Sequence, residues 1–489
     1  MLHIQDKGER MNIVLRTVIA TLGWCCLPGM AGIHQVQLNS EPDRVATPLQ
    51  IAWPYIGTLV PRSAAEIQQS NWTLGCETLC RDFANYEEYK AYLVPLGIKK
   101  IRLQGGWAKS EKQKGVYQFA WLDRIVDDAR GRGLAILLET DYGNPIYPGG
   151  GGADLAGGFP VSEEALAAWD RWVEAMAVHY KDRVQEWAMW NEPDINKAHT
   201  PRDIARFNVR TARIIKRVIP DARIAGLSLA NNTPTLLEAC LKEIQREGGM
   251  DLFTWFIYHG YAPNPDSSYV NVVQQQAVLA RYSTVARMRQ GENGCPSEMA
   301  HRFALSNIPW TEDSQAKWDL RRMLGDLGHD VESSIFTICD FNHTGREMNR
   351  KGLIRANEKK EVIGIKKAYY AVQNLVSIFD STWQRQSITG VCFSATNIAR
   401  YGYHKGDMRL CVFWESAARP AESFTTRAVT LTSDHAWQTP VWVDLFSGRV
   451  YAIPKEQIKH EQGKTTIMDV PVYDSPTVIT ERRALTLAP

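Results

Sequence analysis

Beyond residue 32 this chain has no stretch apolar for the roughly 18 residues a bilayer span needs, so its body is expected to be soluble, with no membrane span. It has no excess of charge of either sign. Lys and Arg number 56 against 54 Asp and Glu, a formal charge of +2, which leaves no compositional case for a nucleic-acid partner. Cysteine is sparse: nine residues, odd in number and scattered, are too few for a disulfide scaffold, and most are expected to be small buried hydrophobes. Cys76 and Cys80 lie four apart, but no second Cys or His pair follows at zinc-site spacing. No Gly-x-Gly-x-x-Gly follows the first strand, and the glycine-rich run "GGGGADLAGG" (149–158) lacks the Lys-Ser or Lys-Thr of a phosphate-binding loop. The missing motif weighs against a dinucleotide fold, and the glycine-rich run is no phosphate cradle.

What is present is length and order. The 489 residues suit one large domain and a smaller one. From Met11 the segment "MNIVLRTVIATLGWCCLPGMAG" has Arg16, an apolar stretch and small residues after Pro28, the layout of a weak secretory signal; residues 1–32 are read as a leader, with a secreted or periplasmic protein expected and a cytoplasmic one the alternative. Residues 33–70 are a lead-in that is able to add a strand to the last domain. Over 71–380, β-branched and apolar runs alternate with helical patterns: "WTLGCE", "KKIRLQGGW", "LAILLETDYGNP", "VQEWAMWNEP", "ARIAGLSL", "DLFTWFIYHGY", "ARMRQGENG" and "VESSIFTICDFN". The apolar sets between the early strands recur at three- and four-residue steps, and the later helices are expected to begin near Pro234, Ser268, Asp313 and Ile363. Eight βα units in about 300 residues predict a (β/α)8 TIM barrel of class α/β. Residues 381–489 change to short runs such as "MRLCVFW" and "PVWVDLFSGRVYAI", about ten residues apart with Gly, Pro, Asp and Ser between, which predicts a C-terminal antiparallel β-sandwich.

In such a barrel the chemistry sits where strands end. The ends supply Glu77 and Arg81, then Arg102, Gln104 and Trp107, then Glu139, Asp141 and Asn144. They go on to Asn191 and Glu192, His259 and Tyr261, Glu292 and Asn293, and Asp340 and Asn342. Glu192, in "WAMWNEPD" (187–194), and Glu292 end the fourth and seventh strands, and a pair of carboxyl groups facing across a barrel mouth fits glycosidic bond cleavage. One must carry a proton and the other must be ionised. Trp187, Trp190 and Pro193 provide an apolar setting that raises Glu192, while Arg102 lowers Glu292 or pairs instead with Glu77 or Glu139. Asn191 is placed to bond the hydroxyl beside the anomeric carbon. Tyr261 and His259 either orient the nucleophile or are satisfied core groups; Trp107 and Tyr142 either stack on sugar or pack; Gln104 and Asp340 are taken as substrate-binding. Glu298, also near, lies in the loop after the strand that Glu292 ends.

The run Trp190–Asn191–Glu192–Pro193, a Glu ending the seventh strand and a trailing β-sandwich resemble the clan A retaining glycoside hydrolases, within which the chain is most similar to the β-xylosidase and α-L-iduronidase family and uncharacterised relatives. The resemblance spans about 70–480 and includes "TLGCETLCRDF", "RLQGGWAKSEKQKGVY" and "VYDSPTVI". It implies Glu192 as acid/base, Glu292 as nucleophile, Asn191 as partner of the 2-hydroxyl, and no cofactor. One departure stands out: many members carry a Trp at the end of strand eight, where this chain is read as "ICDFN". The expected partner is an oligo- or polysaccharide from plants or microbes, with exo action because the loops at 105–118, 144–160 and 294–312 are long. The alternative is an inactive barrel that binds glycans. A metal-assisted hydrolase finds only His259 and Asp340 as candidate ligands.

Overall fold

A computed structural model describes residues 41–343, 345, 347–387 and 390–489. The leader expected at 1–32 lies outside them, as does the start of the lead-in. Strand β1 (Tyr55–Leu59) is followed by eight parallel strands: β2 (Trp72–Gly75), β3 (Lys100–Gln104), β4 (Ala135–Thr140), β5 (Glu186–Met189), β6 (Arg223–Leu229), β7 (Trp255–Tyr258), β8 (Arg287–Asn293) and β9 (Glu332–Ile335). They form a closed barrel, β9 pairing back on β2 with Trp72 opposite Ser333 and Leu74 opposite Ile335. Buried Leu74, Ile101, Leu137, Leu138, Trp187 and Ile224 show why the strand runs read as apolar: parallel strands in a barrel are covered on both sides.

The crossover helices are α1 (Ala120–Gly131), α2 (Glu163–Tyr180), α3 (Pro201–Val218), α4 (Pro234–Arg246), α5 (Tyr269–Leu279) and α6 (Glu312–Gly328), with α7 (Lys367–Ile378) after the last barrel strand. Their starts are chemically marked. Thr200 caps α3 reciprocally with Asp203, with Pro201 in the first turn, and Thr311 does the same for α6 with Ser314. The first crossover is three short helical turns over 86–96 rather than one helix, because Pro95 removes an amide donor and its ring opposes the carbonyl four residues back.

After β9 the chain makes an excursion that the periodicity did not announce: ribbon β10 (Phe341–His343) with β11 (Glu347–Asn349), then β12 (Ile354–Ala356) with β13 (Val362–Ile365). The helix expected near Ile363 therefore starts at Lys367, since Val362–Ile365 is spent pairing with Ile354–Ala356.

The remaining strands are β14 (Gln384–Gln386), β15 (Cys392–Phe393), β16 (Ile398–Lys405), β17 (Met408–Glu415), β18 (Arg427–Ser433), β19 (Pro440–Asp444), β20 (Arg449–Ala452), β21 (Ile458–Glu461), β22 (Lys464–Val472), β23 (Thr477–Glu481) and β24 (Leu487–Ala488). Eight strands, ordered β14-β16-β17-β23-β19-β20-β1-β24, face four, ordered β15-β18-β22-β21. Phe413, Leu431, Trp442, Ile467, Val470 and Ile479 fill the space between. Helix α6 joins this domain to the barrel: Lys317 Nζ reaches Asp474 at 2.8 Å, Arg321 pairs with Asp266, and the Trp414 indole N–H donates to Asp266 Oδ1 at 3.0 Å. The seven described cysteines are unpaired, and all but Cys392 are buried. No described helix is long and apolar enough to cross a membrane.

Candidate active site

The end of β5 is built from unusual backbone. Trp190 (φ 56°) and Glu192 (φ 49°) both lie in the left-handed region, a conformation that costs non-glycine residues about 1–3 kcal/mol and persists only where the surroundings enforce it. Here they do: the Trp190 amide donates to Thr140 O at 2.8 Å and the Glu192 amide to Ser228 O at 2.9 Å, tying the turn to β4 and β6. Trp190 packs on Phe159, Trp169 and Phe207, so the apolar run that ends β5 anchors the Glu192 backbone.

Arg102, at the middle of β3 and 1% exposed, organises the floor. Its guanidinium donates to Glu139 Oε2 (2.6 and 3.2 Å), Glu77 Oε1 (3.1 Å), Glu292 Oε2 (3.0 Å), the Gly291 carbonyl (3.1 Å) and Asn191 Oδ1 (2.7 Å). Both alternatives weighed for Arg102 thus hold at once. The Asn191 amide is fixed at its other end too, donating to the Tyr142 hydroxyl at 3.1 Å. Gln104 accepts from the Thr78 amide and Arg81 and donates to Glu139 and Tyr142. Four carboxyl groups, Glu77, Glu139, Glu192 and Glu292, lie around one arginine and one histidine.

Glu192 and Glu292 face each other. His259, fully buried on the strand end between them, has Nδ1 2.8 Å from Glu192 Oε1 and 3.9 Å from Glu292 Oε2. A carboxylate oxygen of each Glu and a ring nitrogen of His259 lie within 4.8 Å of one another. That spacing would also suit a three-ligand cation site. The Tyr261 hydroxyl donates to Glu292 Oε1 at 3.1 Å. Burial pushes the Glu192 carboxyl above the ordinary range, only partly offset by His259. Burial acts on Glu292 in the same sense, but the charges of His259 and Arg102 and the bonds from Arg102 and Tyr261 outweigh it and hold Glu292 below the usual carboxylate range. Burial also lifts Glu77 to about 8 against the pull of Arg102.

These groups open into a cavity of about 410 Å³, within the size of small-ligand sites, lined among others by Glu77, Gln104, Asn191, Glu192, Tyr261 and Glu292. Arg102 and His259 lie beneath its surface and act on the acids from behind. Two expectations need correction. Trp107 is no sugar platform: after β3 the Gly105–Gly106 turn carries it into the core, fully buried against Tyr147, Trp169 and Trp172, its indole N–H held by Glu111 at 2.5 Å. Asp340 does not line the cavity either; it is captured by Lys366 at 2.6 Å and by the Gly352 amide at 3.0 Å. Glu298 pairs at the surface with Arg350 and Arg355, away from the acid pair.

The strand-eight departure is also resolved differently. β9 ends at Ile335, so the residue at the strand end is Phe336, which lines the cavity, and "ICDFN" belongs to the excursion. That excursion supplies Phe341, His343, Asn349 and Lys351, and the loop after β8 supplies Phe303. None of these was singled out from sequence, where a loop has no period to betray which of its residues point inward.

No family model matches the sequence, and no curated protein does. Among solved structures the chain is similar to a family 39 glycoside hydrolase from the gut symbiont Bacteroides cellulosilyticus WH2, with 16% identity, 85% of this chain and 81% of that one covered, and a TM-score of 0.63. It is similar to a monomeric β-xylosidase from Caulobacter crescentus CB15 (14% identity, 87% and 97% covered, TM-score 0.57). It is also similar to a family 51 α-L-arabinofuranosidase from Bifidobacterium longum (12% identity, 88% and 98% covered, TM-score 0.52). At these identities the likeness is one of fold. The chain has a fold shared with glycoside hydrolases: a closed eight-stranded parallel barrel with an antiparallel β-sheet domain.

Proposed function

We propose that this protein is a retaining glycoside hydrolase that cleaves an O-glycosidic bond by double displacement. The observation that carries the proposal is the facing pair Glu192 and Glu292, with oxygens within 4.8 Å and environments that push their proton affinities apart. Retaining enzymes hold their two carboxyl groups about 5–5.5 Å apart, whereas inverting ones leave roughly 6.5–9.5 Å for a water. Glu292, ionised and steadied by Arg102 and Tyr261, attacks the anomeric carbon. Glu192, protonated by virtue of its burial, gives its proton to the leaving oxygen and then takes one from the water that releases the glycosyl group from Glu292. Asn191, with its amide fixed at both ends, presents its edge to the hydroxyl next to the anomeric carbon.

The substrate we assign is an oligo- or polysaccharide of plant or microbial origin, attacked from its end; Leu155 and Phe303, from two of the long loops, wall the cavity and support exo action. The layout of residues 11–32 supports export, so the glycan would be met outside the cytoplasm.

The test is a panel of aryl glycosides with the first-formed anomer followed by NMR. Retention of configuration is expected, together with loss of turnover in Glu292→Gln. An inverted product would overturn the double displacement. Glycan binding with no turnover on any sugar would replace it with the inactive-barrel alternative.

A further inference from the structure

One wall of the cavity carries two side-chain amides whose orientations are forced. Arg102 has only hydrogens to give, so the Asn191 atom 2.7 Å from it is the oxygen Oδ1, and the amide nitrogen faces the other way, 3.1 Å from the Tyr142 hydroxyl. Gln104 is fixed by the same rule. Its Oε1 takes the Thr78 amide at 3.0 Å and the Arg81 guanidinium at 3.1 Å, which turns its nitrogen to Glu139 Oε1 and to the Tyr142 hydroxyl, both at 3.3 Å. Tyr142 therefore accepts twice, once from each amide. A phenolic oxygen also has one proton to give, and among the described residues this one gives it to none. Burial holds the phenol well above its ordinary range, against the charge of Arg81, so the hydroxyl keeps that proton.

The Tyr142 ring is packed rather than open to a sugar face. It is 2% exposed, with the Arg81 guanidinium 4.9 Å from its centre and the Trp190 ring meeting it at 87°. Its hydroxyl end sits beside Asn191 and Gln104, and all three residues line the cavity. Gln104 has both amide hydrogens spent, whereas Asn191 has one left and Tyr142 has one. Their spacing decides which ligand oxygens they take. The two hydrogens of an amide nitrogen diverge by about 120°, so an acceptor ~3 Å out along the free one stands roughly 5 Å from the Tyr142 oxygen, beyond the reach of one hydrogen bond. A single oxygen cannot serve both donors, but two oxygens on adjacent ring carbons span the gap.

We propose that Tyr142 donates a hydrogen bond to the sugar hydroxyl next to the one held by Asn191, the 3-hydroxyl where Asn191 takes the 2-hydroxyl, so that this cavity selects sugars with an intact 2,3-diol. The numbering of the ring positions rests on the glycosidase reading; the demand for a vicinal pair of oxygens does not. Gln104 touches Tyr142 rather than the sugar and is a positioning residue.

The experiment is calorimetric and uses the Glu192→Gln protein, which lacks the proton donor; the partner of Glu192 is His259, so the bonds among Arg102, Asn191, Gln104 and Tyr142 are untouched. The probes are the methyl glycosides of glucose, galactose and xylose, both anomers, with the 2-deoxy and 3-deoxy forms of whichever binds. The 3-deoxy form is expected to bind about three- to tenfold more weakly than its parent, the scale of one neutral hydrogen bond. Adding Tyr142→Phe is expected to close that gap, while the cost of removing the 2-hydroxyl stays within about twofold of its value with Tyr142 present. A purely structural role for Tyr142 weakens every probe alike, and a role exercised only through Asn191 makes the loss follow the 2-hydroxyl; either result overturns the proposal. So does a 3-deoxy form that binds as well as its parent while Tyr142 is in place, a measurement that needs no Tyr142 variant to fold, and so does a failure of every glycoside to bind. Should the wild-type protein hydrolyse a glycoside and its 3-deoxy form equally well, the Tyr142 contact fails while the glycosidase reading stands. Should binding depend on the 3-hydroxyl with no glycoside turned over, Tyr142 holds the ligand of an inactive barrel and the glycosidase reading falls.

Discussion

Replacing Arg102 by Lys keeps a positive charge at the cavity floor and removes the fork that distributes it. Arg102 serves five partners: Glu139, Glu77, Glu292, the Gly291 carbonyl and Asn191. A lysine ammonium has three donors on one atom, so at least two partners are left without theirs in a site that excludes water. At about 1.5–3 kcal/mol for a hydrogen bond to a charged group, the loss is ~3–6 kcal/mol of stability. Glu292 responds as well. Its carboxyl is held low in the fold, so its ionisation stabilises the protein above the ordinary carboxylate range, and that stabilisation is lost as pH falls through the depressed value. With the arginine contact gone the folded value rises, and the loss sets in at higher pH. Urea unfolding at several pH values and the acid limb of the kcat/KM profile measure both effects in Arg102→Lys. A stability within about 1 kcal/mol of wild type, together with an unmoved acid limb, would refute the account of Arg102 as the group that holds the floor and keeps Glu292 ionised.

Glu77, lifted from 4.5 to about 8, binds its proton more tightly folded than unfolded, so its contribution is full below about 4.5 and is lost as pH rises towards 8; the stability of wild type relative to Glu77→Gln is expected to fall over that window, at most about 1.4 kcal/mol per unit, and a flat difference would show Glu77 ionised throughout. Asp194 takes the amides of Ala230 and Asn231 at 2.7 and 3.2 Å and the Asn231 side chain at 2.6 Å. Asp194→Ala is expected to loosen that cavity wall and raise KM several-fold with kcat little changed; steady-state kinetics on any hydrolysed glycoside decide it. A methyl group on Gly328 would stand 2.2 Å from the Tyr401 ring where α6 meets the sheet domain. Gly328→Ala should cost about 1–3 kcal/mol of overpacking, seen as a lowered Tm, with activity at 25 °C preserved.

The barrel was legible because its signal is periodic. Eight apolar runs separated by helical repeats leave little choice of architecture, and the strand ends then mark where Asn191, Glu192, Gln104, Tyr261 and Glu292 come together. What depends on a single turn was not legible. Trp107 stands three residues past a strand end, where a side chain points into the cavity or into the core according to the backbone of Gly105 and Gly106, and Gly106 is left-handed here (φ 60°). Asp340 has the residue type of a ligand-binding group, but Lys366, more than twenty positions away, claims it. Phe341, His343 and Lys351 come from an excursion whose strands are three or four residues long, too short for alternation to be distinguished from chance. The sheet domain showed the same limit: β17 and β19 stood out, whereas the exposed three-residue β14 carries no apolar pattern.

Strand β1 pairs on one side with β20, Tyr55 opposite Tyr451, and on the other with β24, Thr58 opposite Ala488. On a ribosome, Leu59 emerges roughly 390 residues before Arg449 begins the first of those partners, a delay of ~20–80 s at about 5–20 residues per second. Once Ile335 is out the barrel has all its strands, while a half-apolar segment ahead of it still waits with both edges open. A ribosome that stalls or a protease that cuts between residue 380 and Arg449 therefore releases a barrel carrying an edge strand with neither partner, the kind of surface on which a second nascent chain can pair and aggregate.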